Sequence, residues 1–78
     1  MDEMLEYRAE MTDTFGGEAN YCWVDRTAGK KRSELAVVRE VKKAFGITGL
    51  RCAREDYMDS IVLRPYGMNI IVFINFQF

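Results

Sequence analysis

The sequence contains no histidine, and only two of its 78 residues are cysteines. Without histidine the chain lacks the commonest general base at neutral pH, and Ser-His or Cys-His nucleophile pairs cannot form. Cys22 and Cys52 do not supply the closed ligand set of structural zinc, and each lies in an apolar strand pattern typical of a packed thiol. We therefore expect no catalytic residue, no metal, no cofactor and no small-molecule substrate.

Long apolar runs are also missing. The longest, residues 70–74, ends at Asn75 and falls far short of the ~20 residues that a membrane-spanning helix needs. Residues 1–6 are acidic, where a secretory signal would be basic and then apolar. These features predict a protein that works in the cytoplasm and has no membrane partner.

What is present is ordinary globular composition, with 49% hydrophobic and 29% charged residues. A chain of this length buries roughly 60% of its unfolded surface, which is enough for one modest core. We expect a single domain over residues 1–78, as a monomer or a weak homodimer.

The N-terminal half of the chain predicts a hairpin. Apolar and polar residues alternate over residues 5–12, which is typical of a strand with one buried face. Residues 13–17 end in two glycines and predict a turn. A second strand over residues 19–26 has apolar residues on both faces and should not be a bare edge, while residues 27–32 form a polar connector.

The middle of the chain predicts a helix over residues 34–45. Ser33 can cap its first turn, and Gly46 suits the left-handed residue after its end. Apolar residues recur at helical spacing on one side, and they are Val37, Val38, Val41, Ala44 and Phe45.

Three further strands are predicted over residues 50–55, 60–64 and 68–78, separated by short turns that favour antiparallel neighbours. The last is apolar on both faces, which favours a central place in the sheet or an interface. The predicted fold is α+β, an antiparallel sheet of about five strands with one helix packed on a face, in the order ββαβββ.

Charge is strongly polarised along the chain, although the net charge is only −1. Residues 1–25 hold seven acidic residues and one basic residue, whereas residues 26–54 hold nine basic and two acidic ones. Two binding hypotheses follow, one for each sign.

The first hypothesis is an acidic surface that imitates a nucleic acid and binds a basic groove of another protein. Side chains at i and i+2 on a strand are ~7 Å apart, close to the spacing of successive phosphates. An exposed strand that is acidic only for solubility explains the pattern equally well. The candidate residues are Glu6, Glu10, Asp13, Glu18, Asp25, Glu55, Asp56 and Asp59.

The second hypothesis is a small DNA-binding regulatory protein that uses a basic helix. Lysine and arginine on that helix could neutralise phosphates, although a pI of about 5.4 disfavours general affinity for polyanions. Its candidate residues are Lys30, Lys31, Arg32, Arg39, Lys42 and Lys43.

Two segments carry a resemblance to a known family. The run TDTFGGEANYCWV at residues 12–24 and the run RPYGM at residues 64–68 resemble small proteins of phages and mobile elements, among them type I-C anti-CRISPR proteins. The resemblance implies a protein-binding inhibitor in the bacterial cytoplasm, which binds a CRISPR effector complex and blocks its target DNA binding. The resemblance assigns no catalytic residue to this chain. A structural oligomer joined through the C-terminal strand is a third possibility, since Phe76 and Phe78 leave an apolar end.

Overall fold

The computed structural model describes residues 4–13 and 24–77 as one helix and five strands. The α+β class and the order ββαβββ are as predicted. The elements are β1 (Leu5–Asp13), β2 (Val24–Lys31), α1 (Glu34–Ala44), β3 (Cys52–Asp56), β4 (Ser60–Pro65) and β5 (Ile70–Gln77).

The strands form one antiparallel sheet in the order β2-β1-β5-β4-β3. The central position of β5, between β1 and β4, confirms what its two apolar faces predicted. Only one face of β5 is fully buried, since Val72 and Ile74 are 0% exposed whereas Phe73 on the other face is 37% exposed.

The core lies between α1 and one face of the sheet. Val37 and Val41 of the helix are fully buried against Ala9, Val72 and Ile74 of the two central strands. The alternation predicted for β1 is confirmed, because every second residue from residue 7 to residue 11 is buried. Among the predicted helix residues Ala44 is an exception, since it is exposed.

Local signals set both ends of α1. The Ser33 hydroxyl accepts a hydrogen bond from the backbone N–H of Ala36 at 3.1 Å, which satisfies one free donor of the first turn. Gly46 has φ of +72°, the left-handed conformation that ends many helices. The helix stops one residue before its predicted end, with Phe45 as the C-cap.

The extent of β2 differs most from the prediction. Residues 27–31, predicted as a connector, continue the strand in register with β1, from Ala9 opposite Thr27 to Leu5 opposite Lys31. The prediction that this strand is not a bare edge is wrong, because β2 lies at an edge of the sheet. Polar and basic residues suit an edge strand because they discourage pairing with another chain. The same residues are typical of loops, which is why the sequence of β2 predicts a connector. Residues 14–23, which hold the predicted turn and Cys22, lie outside the described residues.

The bounds of the last three strands differ from the predicted ones by at most two residues. Leu50 and Arg51 precede β3 rather than belonging to it, and Leu50 N–H donates to the Ile47 carbonyl at 3.1 Å. Cys52 is partly buried and packs against the core, as predicted for a reduced thiol. Phe76 is 9% exposed and belongs to the core, whereas Phe78 lies outside the described residues.

A close approach ties β1 to β2 at Gly29. Tyr7 lies opposite Gly29 in the register and is 2% exposed, and a Cβ at position 29 would lie 2.9 Å from the tyrosine oxygen. Burial raises the pKa of the Tyr7 hydroxyl, and the negative charge of Glu40 raises it further. Only glycine leaves room for this ring.

Gly29→Ala is therefore expected to destabilise the protein by about 1–3 kcal/mol, because the tyrosine ring must leave its position in the core. Urea unfolding of the variant measures the loss. Ala28→Ser, a change at the exposed neighbouring position, should stay within about 0.5 kcal/mol of the wild type. Equal stability of Gly29→Ala and the wild type would contradict the described packing.

In the described part of the chain, α1 is too short and too polar to cross a membrane.

Candidate functional site

The two faces of the sheet differ in what covers them. Side chains alternate between faces along a strand, and Tyr7, Ala9 and Met11 of β1 are buried under α1. The intervening residues and their register partners therefore lie on the opposite face, which we call the open face. Within residues 4–13 and 24–77 no second layer of helices or strands covers it.

A row of directly opposed residues crosses the open face. At its centre Phe73 of β5 lies between Val62 of β4 and Glu10 of β1. Phe73 is 37% exposed, whereas Val62 is 7% exposed although it does not belong to the core cluster beneath the sheet. The row ends at Arg26 on β2 and Glu55 on β3. An apolar centre is thus flanked by charged residues on both sides.

Each glutamate described on the open face is paired with a basic residue. The pairs are Glu6 Oε1 with Lys30 Nζ at 3.1 Å, Glu10 Oε2 with Arg26 Nε at 3.8 Å, and Glu55 Oε1 with Arg64 Nη2 at 3.5 Å. All six side chains are well exposed, so each pair contributes only about 0–1 kcal/mol to stability. Their main effect is on the local electrostatic potential, which they bring close to neutral.

Arg8 lies between Glu6 and Glu10 on β1 and adds one more positive charge to this face. With Arg8 included, the described strands carry four basic and three acidic residues on the open face. The antiparallel pairing of β1 with β2 explains this balance, because it lays the acidic start of the chain against the basic segment that follows.

The carboxylates predicted to form an acidic surface lie in different places. Glu6, Glu10 and Glu55 are on the open face, whereas Asp25 lies opposite the buried Met11 and Asp56 accepts from Arg54 Nε at 2.9 Å, both on the helix side. Asp59 is in the turn between β3 and β4, Asp13 ends β1, and Glu18 is outside the described residues. The described carboxylates do not form one continuous acidic surface.

The basic residues predicted to contact nucleic acid are also divided between surfaces. Lys30 is on the open face, and Lys31 lies on the helix side, where its Nζ is 3.7 Å from Glu40 Oε1. Arg32 is exposed in the link to α1. The remaining three, Arg39, Lys42 and Lys43, lie on the helix.

The outer side of α1 carries positive charge alone. Its two acidic residues are turned toward the sheet, with Glu34 Oε1 3.3 Å from Arg54 Nη2 and Glu40 paired with β2. Among the described residues, Arg39, Lys42 and Lys43 therefore have no carboxylate partner. We call these three residues the helix cations.

Comparison of the chain with protein-family models, with curated proteins and with solved structures found no match. Among the described residues, no group of three or more His, Cys, Asp or Glu side chains is placed to hold a metal ion, and none of the buried residues is polar or charged.

The sequence patterns place Phe73 and Val62 in strands but do not single them out as the centre of a surface. A signal was available, because Val72, Ile74 and Phe76 form one face of β5, which leaves Phe73 on the other. The pairing of Phe73 with Val62 depends on the register between β4 and β5, and no local pattern encodes that register.

Proposed function

We propose that this chain is a non-catalytic inhibitor that binds another protein through the open face. The observation that carries the proposal is the row through Phe73, with its apolar centre and charged ends. Protein interfaces have this anatomy, since an apolar core is surrounded by a polar rim that remains accessible to water.

The area of the open face is compatible with such a contact. Five strands spaced ~4.8 Å apart, with about six residues of ~3.3 Å rise each, give a face of about 500 Å² in plan. A standard interface buries about 800 Å² of accessible surface per partner, and accessible area exceeds plan area, so the open face can supply an interface at the small end of the usual range. A few central residues must then supply much of the binding energy, and the half-exposed Phe73 is the residue best placed to do so.

The candidate partner is a bacterial type I CRISPR effector complex, in the cytoplasm of the host cell. This choice follows from the resemblance of residues 12–24 and 64–68 to anti-CRISPR proteins of the type I-C group. Bound inhibitor would block target DNA sterically. The glutamates of the open face would act as rim residues rather than as a row of phosphate mimics, because each has a basic partner within 3.8 Å.

A second candidate function is DNA binding through the outer side of α1. The specific observation in its favour is that both glutamates of the helix turn toward the sheet, which leaves the helix cations without a carboxylate partner in the described chain. Such a surface attracts polyanions in a salt-dependent way.

One experiment separates the two candidates. A purified type I-C effector complex is incubated with excess chain, and binding of a labelled target duplex is then followed by gel shift. The inhibitor proposal predicts loss of the effector–DNA band while the chain alone leaves the duplex unshifted. Undiminished effector–DNA binding in the presence of folded chain would reject it, and a salt-sensitive shift by the chain alone would favour the second candidate.

A further inference from the structure

A groove lies between the C-terminal half of α1 and the β3–β4 end of the sheet. It has a volume of about 620 Å³, which is within the range of small-ligand sites. Its apolar lining includes Val38 of the helix, Leu63 of β4 and the partly buried Cys52 of β3. The groove is open to solvent and lies on the side of the sheet opposite the open face.

Two of the residues that line this groove, Tyr66 and Arg51, have exposed side chains. Tyr66 N–H donates to the Arg51 carbonyl at 3.0 Å, which joins the β4–β5 turn to the loop before β3. Tyr66 is 64% exposed although its backbone is held in place, and Arg51 is exposed as well. The exposed ring of Tyr66 offers a face on which a base can stack.

The other charges that line the groove leave it positive. Lys42 Nζ donates to the Leu50 carbonyl at 2.7 Å, a neutral partner that leaves its charge uncompensated. Arg54 also lines the groove, but its charge is offset by Glu34 and Asp56. None of the described residues that line the groove is acidic. Arg39 and Lys43, with Lys42, border a neighbouring depression at Gly49 and extend the positive surface.

The geometry points to a binding site for single-stranded nucleic acid, in which a base stacks on Tyr66 while Arg51 and the helix cations contact the phosphates. Proteins that bind single strands combine a positive groove with aromatic side chains in this way. This inference rests on the second candidate function, because it uses the same helix cations, and it is independent of protein binding through the open face. A duplex could contact the helix cations through its phosphates, but its bases are already stacked on one another and could not stack on Tyr66.

The test uses fluorescein-labelled dT15 and a 15-base-pair duplex, with fluorescence anisotropy measured at several salt concentrations. We expect dT15 to bind more tightly than the duplex at low salt. Tyr66→Ala should weaken dT15 binding about tenfold, whereas Tyr66→Trp should preserve it. Arg51→Gln should make the dependence of log K on log salt shallower by about 0.7. The matched control is Tyr57→Ala, which removes a tyrosine of similar exposure, 58%, from the other turn.

Several results would overturn the inference. Equal weakening by Tyr57→Ala, or tighter binding of the duplex, would remove the role of Tyr66 while leaving helix-mediated DNA binding intact. Competition by a polyglutamate peptide as effective as unlabelled dT15 would show recognition of charge without stacking. Failure of both probes to bind at low salt would reject single-strand binding in the groove and DNA binding through α1 together.

Discussion

The Ile74→Ala variant is expected to lose about 2–5 kcal/mol of unfolding free energy, because Ile74 is fully buried at the centre of the core. A chain of this size has a total stability of about 4–12 kcal/mol, so the variant should be close to unfolded under mild heating. Thermal and urea unfolding followed by circular dichroism measure the loss. A change below 1 kcal/mol would contradict the full burial of Ile74 in the core.

At Phe73, the residue before Ile74, substitution should affect partner binding far more than stability. Phe73→Ala is expected to cost only about 1 kcal/mol of stability, since the side chain is 37% exposed and its main neighbours are on adjacent strands. Binding to the partner protein should weaken about 30-fold or more, because a half-exposed aromatic residue at the centre of a small interface is a typical hot spot. Calorimetric titration of the effector complex with wild-type and variant chain measures this loss.

A charge substitution elsewhere provides the control for Phe73→Ala. Lys43→Gln removes a charge from the outer side of α1, on the other side of the molecule, and should leave partner affinity unchanged within about threefold. If Lys43→Gln weakens partner binding and Phe73→Ala does not, the open face is not the docking surface.

The fold was largely predictable because its signals are local. The alternation in β1, the cap at Ser33 and the left-handed Gly46 each depend on residues close together in the sequence. The second half of β2 was not predictable in this way. Its polar residues are in a strand only because β1 lies beside them, and Gly29 is required by the ring of Tyr7 rather than by a turn.

The candidate surface was harder to predict because it depends on pairing across strands. The sequence places acidic and basic residues in separate segments, which suggested two charged surfaces of opposite sign. The hairpin register brings Glu6 next to Lys30 and Glu10 next to Arg26, so the two segments neutralise each other on the open face. The outer side of α1 stays positive because Glu34 and Glu40 pair with basic residues of the sheet.

Lysine footprinting tests the docking surface most directly, since Lys30 lies on the open face and Lys43 on the outer side of α1. The chain is acetylated alone and in complex with the type I-C effector, and the modification of each lysine is measured by mass spectrometry. We expect the effector to protect Lys30 from acetylation while Lys43 reacts as in the free chain. Protection of Lys43 with Lys30 still fully reactive would contradict binding through the open face.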